Sequence, residues 1–149
     1  MIPVKEFFTG GRATFTLEVP ELFANTTGCR PHYTYRIYRK KDKKDENKEV
    51  FFVSLKTGPE DGNYAYLGIF NTETGQIALT KKSIGTDDCW SVRFFRRIMA
   101  NIFCEEPDNI TEAGFDVHHE GKCGKCGRKL TVPVSIKTGL GPICSKRNS

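Results

Sequence analysis

Long apolar segments are missing from this chain of 149 residues, and so is a basic start followed by an apolar run. The first absence argues against a membrane-spanning helix, which needs about 20 apolar residues in succession. The second gives no indication of a secretory signal. We therefore expect a cytoplasmic protein without a membrane partner. In a reducing compartment the six cysteines indicate metal binding or free thiols rather than disulfides.

Recognisable catalytic motifs are also absent. The chain has no glycine-rich phosphate loop, no Ser/His/Asp arrangement that can be ordered, and no carboxylate pair in a known setting. His118, His119 and Glu120 form the one cluster that could serve a small metallo-nuclease, as a base beside a metal. No acid follows Glu120 to bind a catalytic metal. We therefore expect a binding protein rather than an enzyme.

Acidic residues are absent from residues 121–149, which carry seven basic ones. The net charge of the whole chain is +5, so the positive excess lies in this segment. A basic module on a near-neutral body is typical of a nucleic-acid contact, although lysines that only solubilise a tail give the same pattern. The candidate nucleic-acid contacts are Lys122, Lys125, Arg128 and Lys129.

The same segment contains a pattern of metal ligands. Cys123 and Cys126 stand two residues apart in CGKCG, where glycines permit the tight turn of a zinc knuckle. Cys144 offers a third sulfur after a spacer of hairpin length. Neighbours on an extended segment face opposite sides, so one of His118 and His119 completes the set, and we choose His119. Four protein ligands leave no open position, so the predicted Zn²⁺ is structural.

The stretch from Cys123 to Cys144, CGKCGRKLTVPVSIKTGLGPIC, resembles a small zinc-finger-like family of phage and bacterial proteins. That family is written CGRCGR, then L-T, P-x-S-I, G-I-G-P and a final Cys; here Lys125 replaces an Arg and Leu140 the usual Ile. The resemblance covers the last fifth of the chain. It implies a metal and a phage or bacterial origin, hence the host cytoplasm if phage-encoded, but no settled activity. A β-rich part before the finger is likewise similar to small uncharacterised phage proteins.

Alternation of apolar and polar residues predicts strands in the rest of the chain, joined by local turns into an antiparallel meander. The residues from Pro20 to Pro31 are predicted to form a loop. The charged run 39–48 is predicted to be a flexible hairpin tip; a phosphate-binding finger is the alternative, but its mixed charge favours solvation. The predicted strands are Arg12–Val19, His32–Arg39, Glu49–Lys56, Asn63–Phe70 and Gln76–Lys81.

A helix is predicted where apolar residues recur at helical spacing, from Trp90 to Phe103, after a capping segment at residues 86–88. The apolar stripe should pack on the sheet. The opposite side carries three arginines, which are either a phosphate-binding ridge or an ordinary solvated face. These are Arg93, Arg96 and Arg97.

If the helix covers the odd-numbered side of the sheet, aromatic and basic residues share the other side. Rings that stack bases, beside cations that bind the backbone, suit a single-stranded nucleic acid. Ordinary cross-strand pairing explains the same aromatics. The residues concerned are Arg36, Tyr38, Phe52, Lys56 and, depending on register, Tyr64 and Tyr66.

The sequence therefore predicts an α+β body in residues 1–117, with an antiparallel sheet of about five strands and one packed helix. Residues 118–149 are predicted to form a truncated, treble-clef-like zinc-knuckle module. The expected function is nucleic-acid binding through that module. The alternative is a protein-binding module that acts on a host enzyme or defence factor through an apolar hairpin. That hairpin would present Leu130, Val132, Val134 and Ile136, whose more ordinary use is burial against the helix.

Overall fold

The computed structural model describes residues 3–41, 43–45, 48–104, 113–130 and 139–141. It is α+β, as predicted, with a six-stranded antiparallel sheet in the order β5-β4-β3-β2-β1-β6. None of the helices within these ranges is long and apolar enough to cross a membrane. The strands are β1 Arg12–Glu18, β2 His32–Lys41, β3 Glu49–Lys56, β4 Tyr64–Phe70, β5 Ile77–Ala78 and β6 Asp116–His119. The helices are α1 Lys5–Phe8, α2 Glu21–Thr27 and α3 Trp90–Phe103.

Strands β1 to β5 follow one another as the predicted meander, and β6 returns to pair with β1 at the far edge. The predicted bounds of β3 are confirmed. Strand β5 is much shorter than the predicted Gln76–Lys81, because the chain turns at Thr80, whose N–H donates to Ser83 Oγ at 2.8 Å. Strand β6 was not predicted, since four residues with one buried apolar side chain give no periodic signal.

The predicted loop between β1 and β2 was wrong in its centre, where α2 lies. This helix is held by an aromatic contact that local propensity does not reveal. Phe23 meets the ring of Trp90 edge-on at 5.3 Å and lies 5.7 Å from Phe94, both in α3. Such ring pairs stabilise by about 0.5–1.5 kcal/mol beyond the area they bury, and this packing explains the helix.

Helix α3 has the predicted bounds and buries the predicted apolar stripe. Its predicted cap at residues 86–88 was wrong. The N-cap residue is Cys89, which makes no capping bond from its side chain, and Asp87 pairs with the guanidinium of Arg96 instead. The buried residues of α3 are Ser91, Val92, Phe94, Phe95, Ile98, Met99 and Ile102.

The core lies between α3 and the odd-numbered face of β1 to β3. Phe15 stacks on Tyr35 with ring centroids 5.5 Å apart, and Tyr35 lies 5.3 Å from Phe95 of the helix. The Tyr35 hydroxyl donates to the carbonyl of Ser91 at 2.6 Å. Burial raises the pKa of Tyr35 well above its usual range, so the phenol remains a donor and connects sheet to helix.

A register shift between Val53 and Ser54 changes the alternation of β4. Tyr66 pairs with Ser54 on the face away from α3, whereas Phe70 pairs with Phe51 and is buried in the core. Without the shift, two residues four positions apart on one strand would face the same side. The extra residue is Leu67, which is itself fully buried.

We expect Tyr35→Phe to lower the free energy of unfolding by about 1–2 kcal/mol, because the buried Ser91 carbonyl loses a partner away from water. Tyr38→Phe is the matched control. Its hydroxyl is half-buried and has only a 3.5 Å contact with Ser54 Oγ, so a change within about 0.5 kcal/mol is expected. Urea unfolding of both variants makes the comparison, and equal losses would contradict this account of the core.

Candidate functional site

Residues 121–130 form a tight hairpin around the first two cysteines. Lys122 and Lys129 form an antiparallel bridge, and the Cys123 N–H donates to the Arg128 carbonyl at 2.8 Å. The Gly127 N–H donates back to the Cys123 carbonyl at 2.9 Å. Gly127 has a φ of 77°, a left-handed conformation that costs glycine nothing. We refer to these residues as the knuckle hairpin.

The Cys123 sulfur lies at the centre of this hairpin and is fully buried. Burial raises the pKa of its thiol, but backbone N–H groups of Gly141, Cys126 and Lys125 outweigh that effect and lower the pKa to about 7. The Lys125 nitrogen lies 3.4 Å from the sulfur. Amide donors directed at sulfur favour the thiolate, the form that binds metals. The Cys123 thiol is therefore more readily ionised than an ordinary cysteine.

The predicted third cysteine, Cys144, lies outside the described residues. The chain that leads to it does return to the knuckle hairpin, since the Gly139 carbonyl accepts the Gly124 N–H at 2.8 Å. Gly141, with its N–H directed at Cys123, is three residues before Cys144. Three residues span at most about 10 Å. Ligation by Cys144 remains a prediction that this chain path favours.

The two candidate histidines lie on opposite sides of β6. His118 lies beside carboxylates on the face away from α3. His119 lies on the core side, 5.9 Å from the ring of Phe7, and its Nδ1 accepts the Gly121 N–H at 2.8 Å. A metal-bound histidine usually donates from its second nitrogen. Ligation through Nε2 would therefore need a different partner for Nδ1 of His119.

Within the described ranges, one group of three His, Cys, Asp or Glu side chains has ligand atoms that all lie within 4.8 Å of one another. It is Glu18, Asp116 and His118, not the set of His119 with the two cysteines. The predicted Zn²⁺ site therefore remains a prediction.

The knuckle hairpin docks on the start of the sheet. The Arg12 N–H donates to the Gly124 carbonyl at 2.8 Å, and the Arg12 guanidinium reaches the Cys126 carbonyl at 3.4 Å. A Cβ at Gly124 would lie 2.5 Å from the Phe7 carbonyl oxygen, so only glycine permits this approach.

The predicted boundary between residues 117 and 118 falls within β6. His118 and His119 pair with Thr16 and Phe15 of β1. The histidine end of the predicted module is therefore part of the sheet of the body.

The predicted nucleic-acid contacts lie on two separate surfaces. In the knuckle hairpin Lys122, Arg128 and Lys129 are exposed and Lys125 is half-buried. The three arginines of α3 are also exposed, on the helix that covers the odd-numbered face of the sheet. Arg93 stacks over Trp90 at 4.1 Å, Arg96 pairs with Asp87, and Arg97 lies 5.4 Å from the Phe115 ring centroid.

The apolar hairpin of the alternative function is described only at its first residue. Leu130 is buried with Cys123 and Leu140, so it offers no exposed apolar surface. Val132, Val134 and Ile136 lie outside the described residues.

Three aromatic rings form a row on the face of the sheet opposite α3, which we call the open face. The rings of Tyr38 and Phe52 lie 5.8 Å apart, and those of Phe52 and Tyr66 lie 6.0 Å apart. All three are half-buried. The row crosses β2, β3 and β4 because Tyr38 pairs with Phe52, and Ser54 with Tyr66.

A groove of about 410 Å³ runs beside these rings. Its walls also include Val50 and four lysines, so an apolar floor has a basic rim. The sequence indicated the rings but not the lysines, because a run of mixed charge reads as a solvated tip. Strand alternation could have found one of them, since it continues through Lys40 and places its side chain above Tyr38, 5.7 Å from the ring. The four are Lys40, Lys41, Lys43 and Lys44.

The other end of the open face pairs a cation with a ring. The Arg36 guanidinium lies 3.9 Å from the centroid of Tyr64. Burial raises the pKa of Tyr64, while Arg36 lowers it and the charge of Glu120 raises it further. Glu120 is therefore close enough to act on this end of the open face.

Arg12 connects the groove to the knuckle hairpin. It pairs with Tyr38 across β1 and β2, and Tyr38 pairs with Phe52. Paired residues of an antiparallel sheet lie on one face. The hairpin bound by Arg12 therefore adjoins the row of rings.

We expect Gly124→Ala to displace the knuckle hairpin, because the new methyl group would lie 2.5 Å from the Phe7 carbonyl oxygen. Gly62→Ala is the control, since no heavy atom lies within 4 Å of its added Cβ. Exchange of the Arg12 amide hydrogen, followed by NMR, should accelerate by roughly 10- to 100-fold in the first variant only. Unchanged exchange in Gly124→Ala would contradict the docking.

We expect the purified chain to retain a single zinc ion after dialysis, and Cys123→Ser, Cys126→Ser and Cys144→Ser to lose it. His119→Ala should also lose zinc, whereas His118→Ala should retain it. Atomic absorption gives the stoichiometry. Full retention in Cys123→Ser would refute the site. Full retention in both histidine variants would place the fourth ligand elsewhere.

Comparisons with known proteins bear on the C-terminal part of the chain. Residues 113–149 match DUF6011, a family of unknown function. The matched stretch includes β6 and the knuckle hairpin. Neither the curated proteins nor the solved structures contain a match to this chain. The C-terminal part of the chain is thus similar to a family whose function is unknown.

Proposed function

We propose that this protein binds nucleic acid through the groove of the open face and the adjoining knuckle hairpin. The observation that carries the proposal is the row of Tyr38, Phe52 and Tyr66 beside four lysines. A polyanion with flat, apolar bases complements both halves of this surface. Each base stacked on an aromatic side chain contributes about 1–3 kcal/mol, and lysines bind the phosphates.

The knuckle hairpin extends the basic surface beyond the sheet. Its exposed Lys122, Arg128 and Lys129 belong to the segment without acids. A structural Zn²⁺ on Cys123 and Cys126, completed by Cys144 and His119, would fix the hairpin against Arg12. The metal in this proposal positions cations and takes no part in a reaction.

A protein partner, such as a host enzyme or defence factor, is the competing proposal. Its apolar surface was to include Leu130, which is buried. The groove offers lysines around aromatic rings, which favours a polyanion over an apolar protein surface. We therefore give nucleic acid precedence, and binding that ignores salt concentration would reverse that order.

We expect labelled single-stranded DNA or RNA to bind with an affinity that falls steeply with salt, because phosphate binding releases counterions. Phe52→Leu retains an apolar side chain but removes the ring, so it should weaken binding by roughly 5- to 150-fold. Lys40→Glu should weaken it and flatten the salt dependence. Fluorescence anisotropy across a salt series gives both quantities.

Arg93→Glu is the control for Lys40→Glu, since it reverses a charge on α3, away from the open face. Joint reversal of Lys122, Lys125, Arg128 and Lys129 to Glu tests the knuckle hairpin. Loss in that variant with full binding in Phe52→Leu would assign binding to the hairpin alone. Absence of binding at low salt would refute the proposed function.

A further inference from the structure

A second group of potential metal ligands lies on the open face, apart from the cysteines. Glu18 ends β1, and Asp116 stands directly opposite it on β6. His118, two residues on from Asp116, extends from the same side of β6. Two neighbouring strands thus bring one imidazole and two carboxylates together through backbone pairing alone.

The three ligand atoms converge on one point. His118 Nε2 lies 3.3 Å from Glu18 Oε2 and 3.2 Å from Asp116 Oδ2. All three ligand atoms lie within 4.8 Å of one another. Metal–ligand bonds of about 2.0–2.2 Å separate neighbouring ligands by roughly 3.0–3.4 Å. The His118 nitrogen therefore already lies at the spacing of neighbouring ligands from one oxygen of each carboxylate.

The two neighbouring carboxylates at this position also favour a bound cation. Like charges directly opposite each other on paired strands destabilise the pair. His118 is the side chain that lies beside both carboxylates. A divalent cation would supply two positive charges where the ring supplies at most one. The side chains retain 62% exposure at Glu18, 37% at Asp116 and 44% at His118, so an ion can enter from solvent.

We propose that Glu18, Asp116 and His118 form a binding site for a divalent cation of the Mn²⁺ class. Carboxylate and imidazole ligands suit this ion, whereas the thiolates of the knuckle hairpin suit zinc. Nε2 of His118 would bind the ion through its lone pair. Three protein ligands leave further coordination positions for water or a phosphate oxygen. The site does not rest on the proposed nucleic-acid binding.

Mn²⁺ itself is the probe, added to the full chain and followed by the loss of the electron paramagnetic resonance signal of the free ion. We expect saturable binding at a single site that persists in the Cys123→Ser, Cys126→Ser double variant. Asp116→Asn and His118→Ala should each weaken Mn²⁺ binding by at least about tenfold. Loss of a group that only orients a ligand lowers metal affinity by about 10- to 100-fold, and loss of the ligand itself should cost at least as much affinity.

Two matched variants control for unspecific effects. Glu73→Gln removes an exposed carboxylate in the β4–β5 turn, and His32→Ala removes a histidine at the position beside Glu18 in β2. Both should leave Mn²⁺ affinity within about twofold of the parent, and Glu18→Gln replaces Asp116→Asn if the latter fails to fold. No saturable binding, equal losses in Glu73→Gln and Asp116→Asn, or dependence on the cysteines would each overturn the proposal.

Discussion

The stacking of Phe15, Tyr35 and Phe95 buries one face of the sheet in the core. The positions of the other surface groups follow from this burial. Because strands alternate, filling the odd-numbered side with rings directs the even-numbered residues to the other side. The row of rings in the groove, the carboxylates of β1 and β6, and the arginine that binds the knuckle hairpin all lie there. The packing of the helix on one face of the sheet therefore leaves the opposite face open for these groups.

Alternation made the central strands and α3 predictable, since each repeats its apolar spacing over seven or more residues. The elements that the sequence did not reveal are those stabilised by residues that are distant along the chain. Helix α2 depends on Phe23 meeting α3, and β6 on a pairing with β1 across a separation of about a hundred residues. Short elements with long-range partners carry little local signal.

The candidate sites show the same division. Two cysteines in CGKCG are visible in any reading of the sequence, and the buried, amide-bound sulfur of Cys123 gives that pattern a physical basis. The lysines beside the rings were predicted to be a solvated tip, and the group of Glu18, Asp116 and His118 was not predicted. Both depend on strand pairing, which brings together residues that are distant along the chain.

The single extra residue in β4 has a consequence for how this sheet can change. Leu67 shifts the parity of the strand, so that Tyr66 belongs to the groove while Phe70 belongs to the core. Deletion of one residue there would move one of these rings to the wrong side, whatever its chemistry. Substitutions can alter the groove gradually. A change of length in β4, by contrast, would move surface side chains into the core and core side chains to the surface in one step.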